Sequence, residues 1–279
     1  MNGILLINKE KGKTSRDMVN ELNHIFCIKK IGHTGTLDPL ATGILIMCIG
    51  KYTKLVDKLS FAKKKYRATI KIGIKTDTLD ITGNILEKGE FKVSKEEVIN
   101  VLNSLKGKFE QEIPIYSAKK INGKKLYEYA RNGESVDLPK NTVEIYDINL
   151  VFFNNDEIVF DATVSKGTYI RSLIDVICKK LGILGTMSDL VRTMQGNFTI
   201  DDTFTIENVK LNNYKLLKAR DVLDYKVYNL SEEEYLKVKN GNKMVFDLNE
   251  DHIILMYQNQ EIAIYKKEND IYRAEIMFI

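Results

Sequence analysis

Asp38 is the one carboxylate in the loop Gly32-His33-Thr34-Gly35-Thr36-Leu37-Asp38-Pro39-Leu40-Ala41-Thr42-Gly43. The ring of Pro39 drives the Asp38 backbone out of the helical region and toward an extended conformation. Gly32, Gly35 and Gly43 permit tight turns and close approach of another molecule to the backbone. No Lys or Arg within the loop neutralises the acid. A carboxylate held on such a loop is suited to act as a nucleophile. Asp before Pro is also a common turn former, so the residues alone leave an Asx turn open.

Tyr66 opens the buried face of a strand in which Tyr66, Ala68, Ile70 and Ile72 alternate with Arg67, Thr69 and Lys71. Arg171 falls in the first turn of a helix expected to begin at Thr168, where the backbone already presents partial positive charge. An anion from elsewhere in the fold would satisfy it. Two basic clusters stand out: Lys63, Lys64, Lys65, Arg67 and Lys71, then Lys119, Lys120, Lys124, Lys125 and Arg131. Tyr66, Tyr116, Tyr127 and Tyr129 interleave with them, a pattern closer to an RNA-binding surface than to a plain solvated face.

Cys27, Cys48 and Cys178 are far apart and form no Cys-x-x-Cys, which argues against a disulfide framework and a zinc site and fits a reducing, cytoplasmic location. His24, His33 and His252 are too scattered for a metal cluster. The longest apolar run of note, Ile44 to Ile49, is too short to span a bilayer, and the first residues lack the pattern of a signal peptide. The net charge of +4 over 279 residues is weak evidence for any partner.

The positioning elements are legible in outline. Ile4–Ile7 and Ile44–Ile49 read as buried strands, and Thr14 or Ser15 caps a helix running to about Cys27. Tyr52 to Leu59 reads as a short helix. Ser94-Lys95-Glu96-Glu97 is a capping box that opens a helix to about Leu105. Leu126 to Asn132 is helical and stops at Gly133. Val143–Phe153 and Ile158–Val164 are strands joined at Asn154-Asn155-Asp156. The helix from Thr168 places Ile170, Leu173, Ile174, Ile177 and Leu181 on one face and ends at Gly182. The order of strands and helices indicates an α+β fold with a mixed, largely antiparallel sheet flanked by helices. A small β-rich module is expected at residues 227–279, after a domain at 1–226.

The Asp38 loop resembles the catalytic signature of the tRNA pseudouridine synthase B family, the tRNA pseudouridine-55 synthases. Lys65-Tyr66-Arg67-Ala68, Thr76-Asp77-Thr78-Leu79-Asp80, Tyr116-Ser117-Ala118-Lys119-Lys120, Gly123 to Arg131 and Lys166-Gly167-Thr168-Tyr169-Ile170-Arg171 resemble further family segments in the family's order, over roughly residues 3 to 200. Glu10 departs from the proline usual at its place. The resemblance implies a pseudouridine-synthase fold, a PUA-like tail, and the T stem-loop of tRNA as substrate, without metal, cofactor or obligate protein partner. It implies Asp38 as nucleophile, Tyr66 as stacking platform and candidate base, and Arg171 as the partner of Asp38, with Asp80 as a second partner of Arg171. His33 and Tyr169 are implied at the displaced nucleotide. Lys65 and the Lys119–Arg131 cluster are candidate RNA contacts, and a monomer is expected. Whether Asp38 attacks C6 of uracil or C1′ of the ribose stays open. A non-catalytic RNA chaperone or binding module fits the basic clusters and aromatics as well, and an RNA-guided relative that works with a guide RNA and protein partners is a second alternative. A glycosidase would need a second flanking carboxylate, which Asp80 would have to supply.

Overall fold

The computed structural model describes all 279 residues. In chain order the elements are β1 (Gly3–Lys9), α1 (Ser15–Phe26), β2 (Ile31–His33), β3 (Thr42–Ile49), a 3-10 turn (Gly50–Leu55), α2 (Val56–Ser60), β4 (Lys64–Ile72), β5 (Ile74–Thr76) and β6 (Ile85–Lys88). There follow α3 (Lys95–Asn103), β7 (Gly107–Glu112), β8 (Lys120–Ile121), β9 (Lys124–Lys125), α4 (Leu126–Arg131), β10 (Lys140–Phe153), β11 (Glu157–Val164), α5 (Ile170–Leu181), β12 (Gly185–Gln195) and β13 (Phe198–Thr199). The last are a 3-10 turn (Ile200–Asp202), α6 (Ile206–Lys210), α7 (Ala219–Val222), β14 (Lys226–Asn229), α8 (Glu232–Lys239), β15 (His252–Tyr257), β16 (Gln260–Glu268) and β17 (Ile271–Met277).

The main sheet runs β1-β3-β12-β4-β11-β10-β7, with β2 added on β3 and β13 on β12. All its pairings are antiparallel except β3 with β12. The β3–β12 contact is close. A Cβ on Gly43, whose φ is +101°, would lie 2.3 Å from the Arg192 carbonyl oxygen, so only glycine fits there.

Both faces of β1 and β3 are covered, which explains their unbroken apolar runs. On one face α1 packs Met18, Val19 and Leu22 against Leu5, Ile7, Leu45 and Met47. The helix begins where the sequence indicates: Thr14 Oγ1 accepts from the Asp17 N–H, and the Thr14 N–H donates to Asp17 Oδ2. Elsewhere along the sheet, α3 and α5 cover the apolar faces of β4, β10, β11 and β12. The Ser94–Glu97 capping box opens α3 as expected.

The C-terminal residues form a separate four-stranded sheet, β14-β15-β16-β17. It joins the main sheet through a shared core in which Ile254, Met256, Ile264, Ile276 and Phe278 meet Ile4, Leu6, Ile44, Ile46 and Tyr52. Buried Glu261 anchors this join. It accepts from the Tyr52 hydroxyl and from the Ala219 and Arg220 N–H groups, the latter two at 3.0 Å.

Several expectations need adjustment. The stretch from Tyr52 to Leu59 is a 3-10 turn followed by α2 rather than one helix. The helix expected from Thr168 starts at Ile170, with Tyr169 at its N-cap. The expected boundary at residue 226 falls on the first residue of β14. Strand β12 and helix α8 were not anticipated from the sequence.

Candidate active site

Arg171 occupies the second position of α5 and is only 5% exposed. Its Nε donates to Asp38 Oδ2 at 2.9 Å and its Nη2 to Asp38 Oδ1 at 3.3 Å. Nη1 donates to the Thr78 carbonyl at 3.1 Å, and Nη2 also reaches the Tyr116 carbonyl at 2.9 Å. One guanidinium thus joins the Asp38 loop, the turn after β5 and the β7–β8 connection. The two-point grip fixes the plane of the carboxylate while 34% of the Asp38 side chain stays accessible.

The loop is held independently of that pair. Leu37 donates its N–H to Ser15 Oγ at 2.9 Å, and Ser15 Oγ donates back to the Leu37 carbonyl at 3.2 Å. Gly12 N–H donates to the Pro39 carbonyl at 2.8 Å. Arg192, fully buried in β12, donates from Nε to the Ile44 carbonyl at 2.7 Å and from Nη2 to the Gly35 carbonyl at 3.2 Å. It spans the two ends of the segment carrying Asp38. Lys9 is also fully buried, with its ammonium on the carbonyls of Glu10, Lys13 and Pro39. Burial pushes Lys9 down to about 8, against the pull of Asp38 and with added repulsion from Arg192.

Asp38, Tyr66, Arg171, His33 and Tyr169 line one cleft of about 410 Å³. Tyr66 is 7% exposed and sits opposite Arg192 in the β4–β12 register. Burial keeps His33 below the usual histidine range, and the nearby Arg192 and Arg16 act in the same direction, so the imidazole is neutral at pH 7. Burial also raises the Tyr169 phenol. The Tyr169 backbone is fixed by Gln111, which accepts from its N–H at 2.8 Å and donates to its carbonyl at 3.0 Å.

Other expected site residues lie elsewhere. Asp80 makes no ion pair with Arg171. Its Oδ1 accepts from Thr78 Oγ1, from the Thr82 N–H and from Thr82 Oγ1. The local Thr-x-Asp-x-Thr spacing satisfies the acid within its own turn, and it bears on Arg171 only through Thr78. Lys65 does not face the cleft either. Strand alternation sends it with Arg67 to the opposite face, where both meet Asp161. The inward lysine is Lys64, which lines the cleft and is 7% exposed.

Lys119, Lys120, Lys124, Lys125 and Arg131 lie outside the cleft, on and around the β8–β9 hairpin and α4. Lys124 stands over Tyr129 and pairs with Glu134, while Lys125 and Arg131 stand over Tyr127. Residues 117 and 118 carry that unit to the cleft wall. Ser15, read only as a possible helix cap, and Lys64, read only within a basic cluster, belong to this site, as do Lys9 and Arg192, which the sequence left unflagged.

Residues 23–170 match the model of the TruB family pseudouridylate synthase N-terminal domain. The chain is 40% identical over 267 residues to the tRNA pseudouridine synthase B of Caldanaerobacter subterraneus subsp. tengcongensis, covering 95% of this chain and 94% of that protein. It is 42% identical over 289 residues to the protein of the same name from Staphylococcus saprophyticus subsp. saprophyticus, with the same coverages. Among solved structures it superposes on a chain of a Cbf5-Nop10-Gar1 complex with a TM-score of 0.73 at 21% identity, covering 99% of this chain and 85% of that one. A chain of an H/ACA RNP bound to a substrate RNA containing 2'-deoxyuridine gives 0.71 at 20% identity, over 99% and 85%. These likenesses establish the pseudouridine-synthase fold, and with the sequence matches they show that the chain belongs to the TruB family of pseudouridylate synthases.

Proposed function

We propose that this chain converts the uridine at position 55 in the T loop of tRNA to pseudouridine, with Asp38 as the nucleophile. The observation that carries the reading is the two-point Arg171–Asp38 pair inside a cleft walled by Tyr66. The full-length relatives named for this activity on tRNA support the substrate class.

The target base lies stacked in the folded T arm, so it must be extruded into the cleft at a cost of a few kcal/mol. Tyr66 offers a flat face for the extruded uracil. Asp38, oriented by Arg171, adds to C6 of the base or to C1′ of the sugar. The C1′–N1 bond breaks, the base turns, C1′ bonds to C5, and the bond to Asp38 breaks to return the carboxylate. C5 loses its proton and N1 ends with one, so the atoms balance. A group positioned as Tyr66 is can carry that proton. Asp80 acts as a positioning residue through Thr78.

The chain acts without an obligate protein partner and as a monomer in this reading. Its three free cysteines fit the reducing cytoplasm. Residues 1–226 form the catalytic unit and 227–279 a PUA-like unit that adds RNA affinity, packed on the shared core around Glu261. The Lys119–Arg131 cluster meets backbone phosphates of the arm, which makes binding strongly salt-dependent.

The test is tritium release from tRNA labelled at C5 of uridine, using purified chain alone. Release is expected from unmodified tRNA and not from tRNA with cytidine at the target position. Equal release from both would refute the site assignment.

A further inference from the structure

The cleft contains cationic donors that the isomerisation leaves without a role. Arg192 uses Nε and Nη2 on the Asp38 loop, yet its buried Nη1 has no hydrogen-bond partner. Lys64 spends two of its three N–H bonds on the carbonyls of Ser60 and Ala62, at 3.0 and 3.1 Å. The two groups converge across one small residue: a Cβ on Gly35 would lie 3.5 Å from both Arg192 Nη1 and Lys64 Cε. Both side chains line the cleft, and its one carboxylate, Asp38, is already held by Arg171. Lys64 and Tyr66 share a face of β4 two residues apart, roughly 7 Å along the strand. That is the reach of a sugar between a base stacked on Tyr66 and its own phosphate.

We infer that Arg192 Nη1 and Lys64 Nζ form an anion subsite that takes a non-bridging oxygen of a phosphodiester flanking the extruded uridine. The inference rests on the reading under Proposed function. Electrostatics agrees with it. Burial pushes Lys64 down to about 8, and Arg192 and Lys166 repel it further. An entering phosphate would reverse that repulsion and keep the ammonium charged. The subsite gives the cleft a polarity: the base end holds Asp38 and Tyr66, and the backbone end holds uncompensated positive charge. It thereby sets which way the nucleotide enters.

The test is a cycle between protein and RNA variants. T stem-loop RNAs carry one uncharged methylphosphonate, either 5′ or 3′ of the target uridine. Wild-type chain is expected to bind one of the two about tenfold more weakly than unmodified RNA. Lys64→Gln is expected to bind unmodified RNA about tenfold more weakly and to lose less than twofold more with that methylphosphonate. Its salt slope falls by about 0.7–0.9, the value of one phosphate contact. Lys64→Arg keeps affinity within about threefold. Gly35→Ala places a methyl against both cations without removing either, and gives the Lys64→Gln pattern if folding confounds that variant. Losses that multiply independently at both phosphate positions would overturn the subsite. Tritium release from the unmodified stem-loop is read in parallel, so failure of the isomerase reading is visible separately from failure of the subsite.

Discussion

Ser15 and Leu37 exchange two hydrogen bonds, at 2.9 and 3.2 Å, one residue before Asp38. A single hydroxyl at the start of α1 thus satisfies both backbone groups of the residue that aims the carboxylate. Ser15→Ala leaves a buried N–H and C=O unpaired, which is expected to cost about 2 kcal/mol of stability in urea melts. Turnover is expected to fall 10- to 100-fold with little change in tRNA affinity, because small misplacement of a reacting group is expensive. Unchanged turnover would show that the loop is held well enough by Arg192 and Lys9.

Arg171 has no adequate replacement. Lysine is a point donor and cannot reach both Asp38 oxygens together with the Thr78 and Tyr116 carbonyls. Arg171→Lys is expected to lower kcat by about 100-fold or more, with KM within about threefold. Steady-state kinetics on tRNA checks this, and a loss confined to KM would contradict the positioning role.

Tyr66 separates stacking from proton transfer. Tyr66→Phe keeps the ring and is expected to retain RNA affinity while losing turnover by roughly 100-fold, the usual scale of acid–base assistance. Tyr66→Leu removes the ring face as well and is expected to weaken binding by about 1–3 kcal/mol. Equal kinetics for wild type and Tyr66→Phe would remove the hydroxyl from the chemistry.

Lys64 makes a pH signature. Burial pushes its ammonium down to about 8 in the fold, from 10.5 as the ordinary value. Below pH 8 both folded and unfolded chains carry the proton, and the burial cost is present in full. Between 8 and 10.5 the unfolded chain binds more protons, so this group adds stability as pH rises. Urea melts at pH 7.5 and 9.5 are expected to move the difference between wild type and Lys64→Met by about 1–2 kcal/mol in favour of wild type at the higher pH. A pH-independent difference would mean that Lys64 is not desolvated in solution.

The C-terminal sheet shares its apolar face with β1 and β3, and Glu261 ties it to Tyr52 and to the start of α7. Removing residues 226–279 would bare that core. The truncated chain is expected to aggregate rather than to persist as a weak-binding enzyme, as light scattering during purification would report. A soluble, cooperatively melting fragment would show that the catalytic unit stands alone.

A constrained loop at Asp38 and a cation lacking an anion at Arg171 were legible from local rules, a proline after the acid and a cation in the first turn of a helix, but their pairing came only from the family resemblance. Lys65, named only as an RNA contact, lies on the outward face of β4, and the alternation already visible from Tyr66 to Ile72 turns Lys64 inward. Strand β12 escaped notice because its residues are largely polar and two bulges, at Met187/Asp189 and Arg192/Met194, break its period of two. Arg192 was lost with it. Helix α8 was missed although Ser231 and Glu234 form a capping box that was open to reading. Asp80 is held within its own turn, and the bond to Arg171 that the resemblance implies is absent because Thr78 and Thr82 satisfy the acid locally.

The central claim is that Asp38 is the nucleophile. Asp38→Asn keeps the size of the side chain and one acceptor for Arg171 but removes the attacking charge. Single-turnover tritium release with excess enzyme, alongside tRNA binding, isolates the chemical step. The expected result is no release above background with affinity within about threefold of wild type. Release at a rate within about tenfold of wild type would contradict the account.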